Sequence, residues 1–257
     1  MTTDHAIHYY LEDGLGILQI NRPQAHNALN WQAQERFAQL VETAAHDDGL
    51  RVLIITGAGD RTFASGGDLK QLANHLETAA GERLNRVMST ALARLSELSV
   101  PVIAAVNGTA LGGGAEIVTA CDLRLAVAHA SFHFVQVKLG LTTGWGGAGR
   151  LVRLVGPSRA LELLLTGRPL SASEACQIGL LHKVVPAGED VLTAARQWAE
   201  SLLALPRHAL AALKSLVYFA DNAPLVETYR LEAQHFTRLW GQPDHQQAMA
   251  AFLRRET

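Results

Sequence analysis

The segment Asn107-Gly108-Thr109-Ala110-Leu111-Gly112-Gly113-Gly114-Ala115-Glu116 follows directly on the apolar run Val100-Pro101-Val102-Ile103-Ala104-Ala105-Val106. Three successive glycines between a buried strand and a helical pattern leave backbone N–H groups with no side chain over them. A helix N-terminus adds orphan donors and a partial positive charge, so the turn can hold developing negative charge. Glu116, two residues past the last glycine, sets a carboxylate beside it. An anion hole with an acid/base group next to it suits chemistry on a polarised carbonyl. Taken alone, the segment also reads as a tight turn whose glycines serve packing only. A second unit of the same kind shifts that balance. Arg51-Val52-Leu53-Ile54-Ile55-Thr56-Gly57 reads as a fully buried strand, short, β-branched and closed by glycine. Thr62-Phe63-Ala64-Ser65-Gly66-Gly67-Asp68-Leu69-Lys70 follows, again small residues and glycines ahead of a helical pattern. Two such units in one chain can converge on a single oxygen, each offering one N–H.

With 257 residues, 48% hydrophobic and 18% charged, the chain is long enough for one sizeable core without demanding two full domains. A formal net charge of −2 gives no electrostatic footprint for nucleic acid or an anionic membrane. Cys121 and Cys176 stand in apolar helical or strand context and read as reduced thiols, not as a disulfide framework. Met1-Thr2-Thr3-Asp4-His5-Ala6 shows neither a basic n-region nor an apolar h-region. The longest apolar runs are too short and too glycine-broken to span a bilayer. A cytoplasmic enzyme is the resulting expectation.

Periodicity predicts a hairpin, Ile7 to Tyr10 and Gly16 to Ile20, around the Asp13-Gly14 turn signal. A helix is expected from Asn27 to about His46, a strand at 51–56, and one long polar helix from about Leu69 to Leu98. The strand at 100–106 leads to the Glu116 helix, and further strands are expected at 121–128 and from Ser131 to Val135. After Gly144 the pattern reads as helical almost to the end, with breaks at Gly156-Pro157, Gly167-Arg168-Pro169 and Val185-Pro186. Strands alternating with helices, then helices alone, argue for repeated ββα units and a helical C-terminal part.

Three rival constellations fall away. Gly144-Trp145-Gly146-Gly147-Ala148-Gly149 matches G-x-G-x-x-G literally, but no strong strand precedes it and no acid-tipped strand follows about 20 residues on. These glycines read instead as the start of a helix packed against the active-site loops. His129 and His133 are four apart, yet on a strand that spacing is about 13 Å, and no His-Glu-x-x-His occurs, so a metal site is not expected. The absence of Gly-x-Ser-x-Gly removes the nucleophile elbow.

The paired glycine loops, their spacing, and Asn21-Arg22-Pro23-Gln24-Ala25-His26-Asn27-Ala28-Leu29 upstream resemble the crotonase (enoyl-CoA hydratase/isomerase) superfamily over nearly the whole chain. The resemblance implies an α/β crotonase (ClpP-like) fold, with a ββα core over residues 1–200 and a helical oligomerisation region over 201–257. It implies an acyl-CoA substrate, coenzyme A entering as part of that substrate, with no covalently bound cofactor and no metal. In the family the thioester carbonyl sits between two backbone N–H groups, which by matching motifs belong to Ser65 and Gly113. The hole stabilises an enolate, and loss of one donor typically costs roughly 3–4 kcal/mol of barrier. The same match places substrate contacts at Arg22, Ala25, Ala64, Gly67, Asp68, Lys70 and Gly112. Arg22 and Lys70 are candidate phosphate partners, with a solvated surface role as the alternative for each.

Hydratases of the family hold one water between two glutamates. The first matches Glu116; the second falls in Phe132-His133-Phe134-Val135-Gln136, where Gln136 replaces the acid. An amide can orient a water or a substrate carboxylate, but it cannot exchange a proton at neutral pH. Phe134-Val135-Gln136-Val137-Lys138-Leu139-Gly140, then Gly144-Trp145-Gly146-Gly147, looks instead like the branch of ethylmalonyl-CoA and methylmalonyl-CoA decarboxylases. Loss of CO2 from a malonyl-type thioester needs a stabilised enolate and a desolvated carboxylate, and no base for a carbon-bound proton. Glu116, or a water it holds, then protonates the α-carbon. Trp145 is either a wall of the acyl pocket or a core residue. The expected protein is a lyase that decarboxylates a short alkylmalonyl-CoA. Its alternatives are an enoyl-CoA hydratase or isomerase using Glu116 alone, and a catalytically silent binding protein. Leu225, Val226, Tyr229, Leu231, Phe236, Leu239 and Trp240 imply, by the same resemblance, a homotrimer or a hexamer of two trimers; a helix pair folded on its own core is the other reading.

Overall fold

Asp13 and Gly14 take positive φ angles of 49° and 84°, and the turn they form joins two antiparallel strands, β1 (Ile7–Glu12) and β2 (Leu15–Ile20). The structure is a computed structural model that describes residues 6–255; the Met1–His5 stretch of the signal-sequence reading lies outside the described residues. Beyond the hairpin come β3 (Val52–Gly57), β4 (Thr62–Ala64), β5 (Val102–Val106), β6 (Thr109–Leu111), β7 (Leu123–Val127), β8 (Ser131–His133), β9 (Leu170–Ser171) and β10 (Lys183–Val185). One sheet has the order β1-β2-β3-β5-β7-β10, parallel from β2 onward; a smaller one has the order β4-β6-β8-β9. Each of the pairs β3/β4, β5/β6 and β7/β8 therefore gives one strand to each sheet, which is the expected repeat.

The helices are α1 (Trp31–Ala45), α2 (Leu69–Leu72), α3 (Thr78–Ser96), α4 (Gly113–Ala120), α5 (Gly147–Val155), α6 (Pro157–Thr166), α7 (Ala172–Gln177), α8 (Val191–Leu203), α9 (Arg207–Ala220), α10 (Leu225–Leu239) and α11 (Pro243–Arg255). β3 and β5 are buried at every residue, as parallel strands covered on both faces must be. One face packs Leu53, Ile55, Val102 and Ala104 against Phe37 and Val41 of α1 and Met88, Leu92 and Leu95 of α3. The other packs Ile54, Ile103 and Leu125 against Ala195 and Ala199 of α8. Among the described residues no single helix is long and apolar enough to cross a membrane.

The structure corrects several expected boundaries. The helix expected from Asn27 begins at Trp31, capped by the Asn30 side chain, which accepts from Ala33 N at 2.9 Å. Leu29 is instead tied to the first glycine loop, its N–H donating to Gly66 O at 2.8 Å and its carbonyl accepting from Asp68 N at 3.1 Å. The single helix expected over 69–98 is two. Gln71 of α2 is pinned to the start of α1, where its Oε1 accepts from Trp31 N, whereas α3 turns to lie along α1 through the Arg83–Glu35 and Arg94–Glu42 pairs. β4, β6, β9 and β10 were expected as loop or helix: two or three residues are too few to display a period of two. His129 precedes β8 and is not on it; its Nε2 meets Asp60 O at 2.9 Å.

Two buried amides fix the connection between β3 and β4. Asn27 donates to Thr62 O at 2.6 Å and Ala58 O at 3.0 Å, and Asn107 donates to Gly59 O at 2.8 Å while accepting from Gly57 N at 3.1 Å. Asn27 also holds a left-handed φ of 53°, a conformation that asparagine tolerates and alanine resists. Asn27→Ala is expected to cost about 2–4 kcal/mol, from unpaired buried carbonyls and the backbone conformation together. Chemical denaturation measures it; an unchanged midpoint would remove Asn27 from the account of how the first glycine loop is held.

Candidate active site

β4 and β6 run parallel, with Ala64 opposite Ala110, so the two glycine loops leave the small sheet side by side. Their backbones touch. A Cβ on Gly66 (φ 82°) would stand 2.7 Å from Gly113 N, and one on Gly114 would overlap the Ala64 carbonyl oxygen. Gly112 adopts φ 54°, ψ −118°, which a side chain would strain. Among the described residues, neither the Ser65 nor the Gly113 N–H donates a turn, loop or capping hydrogen bond. Ser65 and Gly113, singled out from the sequence, are therefore brought to adjoining turns with donors to offer.

Glu116 lies in the first turn of α4 and is 1% exposed; it is the one buried carboxylate among the described residues. Both oxygens are cradled. Oε1 accepts from Gln136 Nε2 at 2.8 Å and Gly144 N at 3.3 Å, and Oε2 from Trp145 N at 2.8 Å and Gly147 N at 2.7 Å. Burial pushes the carboxyl above its usual range, against four donors that each favour the ionised form. From sequence, Gly144-Trp145-Gly146-Gly147 reads as the start of a helix packed against the active-site loops, with Trp145 as a pocket wall or a core residue, and not as a set of hydrogen-bond donors. In the fold it is an anion cradle at the start of α5, and the anion is the protein's own carboxylate. Gly146 turns the chain at φ 82°, and a Cβ on Gly147 would overlap Glu116 Cγ. The legible signal was three glycines in four residues ahead of a helix.

Trp145 is 3% exposed, and its ring covers Gly113, where a Cβ would land among the ring atoms. One residue thus supports the second glycine turn with its ring and Glu116 with its N–H. Arg150, which the sequence did not single out, ties these parts together. Its Nη2 donates to Trp145 O and its Nε to Thr119 Oγ1 at 3.3 Å, while the Thr119 hydroxyl donates to Glu116 O at 2.7 Å.

The remaining candidates fall nearby, and some are already engaged. Arg22 donates to Asp68 Oδ2 at 3.2 Å and to Ala28 O, so this cation and this carboxylate neutralise each other. Ala25 is the half-buried end of an otherwise exposed 3-10 turn, Pro23–Ala25, Ala64 is fully buried at the end of β4, and Gly67 bridges to Leu29. Lys70 stands exposed on α2. A cavity of about 900 Å3 opens at the far end of α4, lined by Cys121, Asp122, Arg124, Lys214 and Tyr218 among others, and neither glycine loop reaches it. Lys214 and Tyr218 both bind Asp122 there, at 2.7 and 2.6 Å, an arrangement that fastens α9 to the core. Cys121 and Cys176 are both free thiols, and no group of three or more His, Cys, Asp or Glu side chains among the described residues could hold a metal ion.

A site that joins uncovered backbone donors to a buried, cradled carboxylate is equipped to stabilise an oxyanion and to move a proton next to it. Known proteins resemble this chain in sequence and fold. The family model for enoyl-CoA hydratase/isomerase matches residues 11–257. Crotonyl-CoA hydratase of Syntrophomonas wolfei is 36% identical over 242 residues, covering 94% of this chain and 92% of its own. Ethylmalonyl-CoA decarboxylase of Gallus gallus is 35% identical over 242 residues, covering 92% and 80%. The crystal structure of enoyl-CoA hydratase from Bacillus anthracis superposes with a TM-score of 0.93 at 31% identity, covering 98% of this chain and 97% of that one. This chain, with its mixed parallel sheets and its two facing glycine loops, belongs to the enoyl-CoA hydratase/isomerase family of the crotonase superfamily, whose fold it has and whose acyl-CoA chemistry it shares.

Proposed function

We propose that the protein is a lyase that decarboxylates a short alkylmalonyl-CoA through a thioester enolate. The thioester oxygen sits between the Ser65 and Gly113 N–H groups, and Glu116 returns a proton to the α-carbon once CO2 has left. The observation that carries the reading is Gln136: where a water-adding site needs a second acid, its amide donates to Glu116 Oε1 at 2.8 Å, leaving one proton-exchanging side chain. Decarboxylation needs only one. Lys70 is the exposed cation offered to the phosphates of coenzyme A, and Ala25, Ala64, Gly67 and Gly112 flank the bound substrate. Arg22 and Asp68 shape the loop as an ion pair.

A second reading is favoured by the relatives, most of which carry hydratase names: hydration of an enoyl-CoA by Glu116 and a water. Mass spectrometry of acyl-CoAs after incubation separates the two, because loss of CO2 and gain of water differ in mass. Methylmalonyl- or ethylmalonyl-CoA should lose CO2 and crotonyl-CoA should stay largely unhydrated. The reverse pattern sinks the decarboxylase.

The C-terminal helices support the proposal of a homotrimer or a hexamer of two trimers. α10 has no buried residue; Leu225, Val226, Tyr229 and Phe236 lie exposed along it and Trp240 exposed at its C-cap. Apolar side chains exposed together on one element mark an interaction surface. Sedimentation at micromolar concentration should give the mass of three or six chains; a single 27.7 kDa species would end the assembly proposal.

A further inference from the structure

We infer, building on the decarboxylase reading, that Gln136 couples substrate binding to proton loading: the carboxylate of an alkylmalonyl thioester binds as Glu116 takes up a proton. That is the proton the α-carbon later receives. The inference starts from an orphan. Gln136 Nε2 donates to Glu116 Oε1, while its own Oε1 is sealed from solvent with no hydrogen-bond partner. The orientation of the amide follows from chemistry, since its oxygen turned the other way would face an ionised carboxylate oxygen. A buried acceptor without a donor is costly and poised to receive one.

The charges around Glu116 decide what a second anion does here. Of the elements packed on α4, β4 and β6 carry no titratable side chain. On α3, Arg83 and Arg94 pair with α1, and Glu82 and Arg86 are exposed. On α5, Arg153 pairs with Asp221, and Arg150 is turned to Thr119 and Trp145 beside the Glu116 cradle. Lys138, beyond Gln136, is exposed with its Cε against Gly167. His133, on β8 ahead of Gln136, is held toward its neutral form by burial and by Lys138. On α6, packed against the Gln136 turn, Arg159 is exposed and Glu162 pairs with Arg168. One cation, Arg150, thus faces one carboxylate, and a substrate carboxylate adds a like charge that no further cation of these elements balances. If that carboxylate takes the second N–H of Gln136, two anions share one amide nitrogen. If the amide turns over, Nε2 faces the substrate and Oε1 accepts the O–H of a protonated Glu116. Both arrangements bind a proton with the substrate, and the second also satisfies the orphan.

The chemistry then balances. The bond between the α-carbon and the carboxylate breaks, its electron pair passes into the enolate held at the Ser65 and Gly113 N–H groups, and CO2 leaves. The Glu116 O–H proton moves to the α-carbon, and the carboxylate returns to its four donors. One proton enters and one CO2 departs.

The test is calorimetric titration in buffers of different ionisation enthalpy, with 2-sulfopropionyl-CoA, an anion that cannot lose CO2, beside uncharged butyryl-CoA. The sulfonate should take up about one proton per site, its affinity falling about tenfold per pH unit over the range in which that uptake is observed. Butyryl-CoA should bind without uptake, and Glu116→Gln should make sulfonate binding independent of pH. Should wild-type protein bind the sulfonate without uptake while still decarboxylating ethylmalonyl-CoA, the coupling is wrong and the decarboxylase stands. Should it decarboxylate neither alkylmalonyl thioester, the underlying reading fails and the coupling with it.

Discussion

Glu116→Gln is expected to lower kcat by about 10²–10⁴-fold, the usual worth of a positioned acid, with a much smaller change in KM. The cradle makes this substitution unusually clean. The new amide can keep an oxygen toward Trp145 N and Gly147 N and turn its NH2 toward Gln136, whose unpartnered Oε1 can accept from it. Only the longer contact from Gly144 N is then left facing a donor. The unfolding free energy should therefore change by about 1 kcal/mol or less. Glu116→Ala strips the partner from four N–H groups at once and should cost several-fold more stability. Its folding defect and its lost chemistry would be confounded. The sign of the pH dependence is fixed as well. A carboxyl raised by burial is bound to its proton more tightly in the fold than in the open chain. Its contribution to stability is full at low pH and declines as pH rises from the ordinary carboxylate range to the raised value, and Glu116→Gln should remove that part of the decline. Near-wild-type turnover in Glu116→Gln would take this residue out of the mechanism.

What the sequence shows and what it hides divide along a physical line. Runs of five or six buried residues such as Val52–Gly57 and Val102–Val106 declare themselves, because parallel strands covered on both faces are apolar throughout. The two glycine loops do so too, since Gly112 and Gly114 answer to a backbone angle and a backbone contact that no other residue meets. The short strands of the second sheet stay hidden: three residues satisfy no period, and their pairing is set by the loops they begin. The donors around Glu116 were harder still. Backbone N–H groups carry no side-chain signature, and Gly144 and Gly147 reach the carboxylate only because the chain reverses at Gly146. Arg22 shows the converse error of reading a cation as available. Its partner, Asp68, lies 46 residues away and was itself counted as a separate contact.

Gln136→Glu should give the protein hydratase activity toward crotonyl-CoA, raised by about 10²–10⁴-fold over the wild-type background. The substitution does more than restore an acid. It removes the N–H that Glu116 Oε1 accepts at 2.8 Å and sets a second carboxyl in its place, at a distance where two ionised groups cannot coexist. The pair will hold one proton between them and titrate as a unit, which is the state a hydratase needs: one member to activate water, the other to protonate the α-carbon. The same change should depress decarboxylation, because the amide that receives a substrate carboxylate is gone and the site already carries a shared negative charge. The pH–rate profile of the variant should show two limbs where the parent shows one. A variant that hydrates no faster than its parent would mean that the missing acid is not what withholds water addition. If the parent already hydrates crotonyl-CoA efficiently and leaves methylmalonyl- and ethylmalonyl-CoA untouched, the amide at 136 serves a one-glutamate hydratase, in which Glu116, held by its four N–H donors, carries both proton transfers.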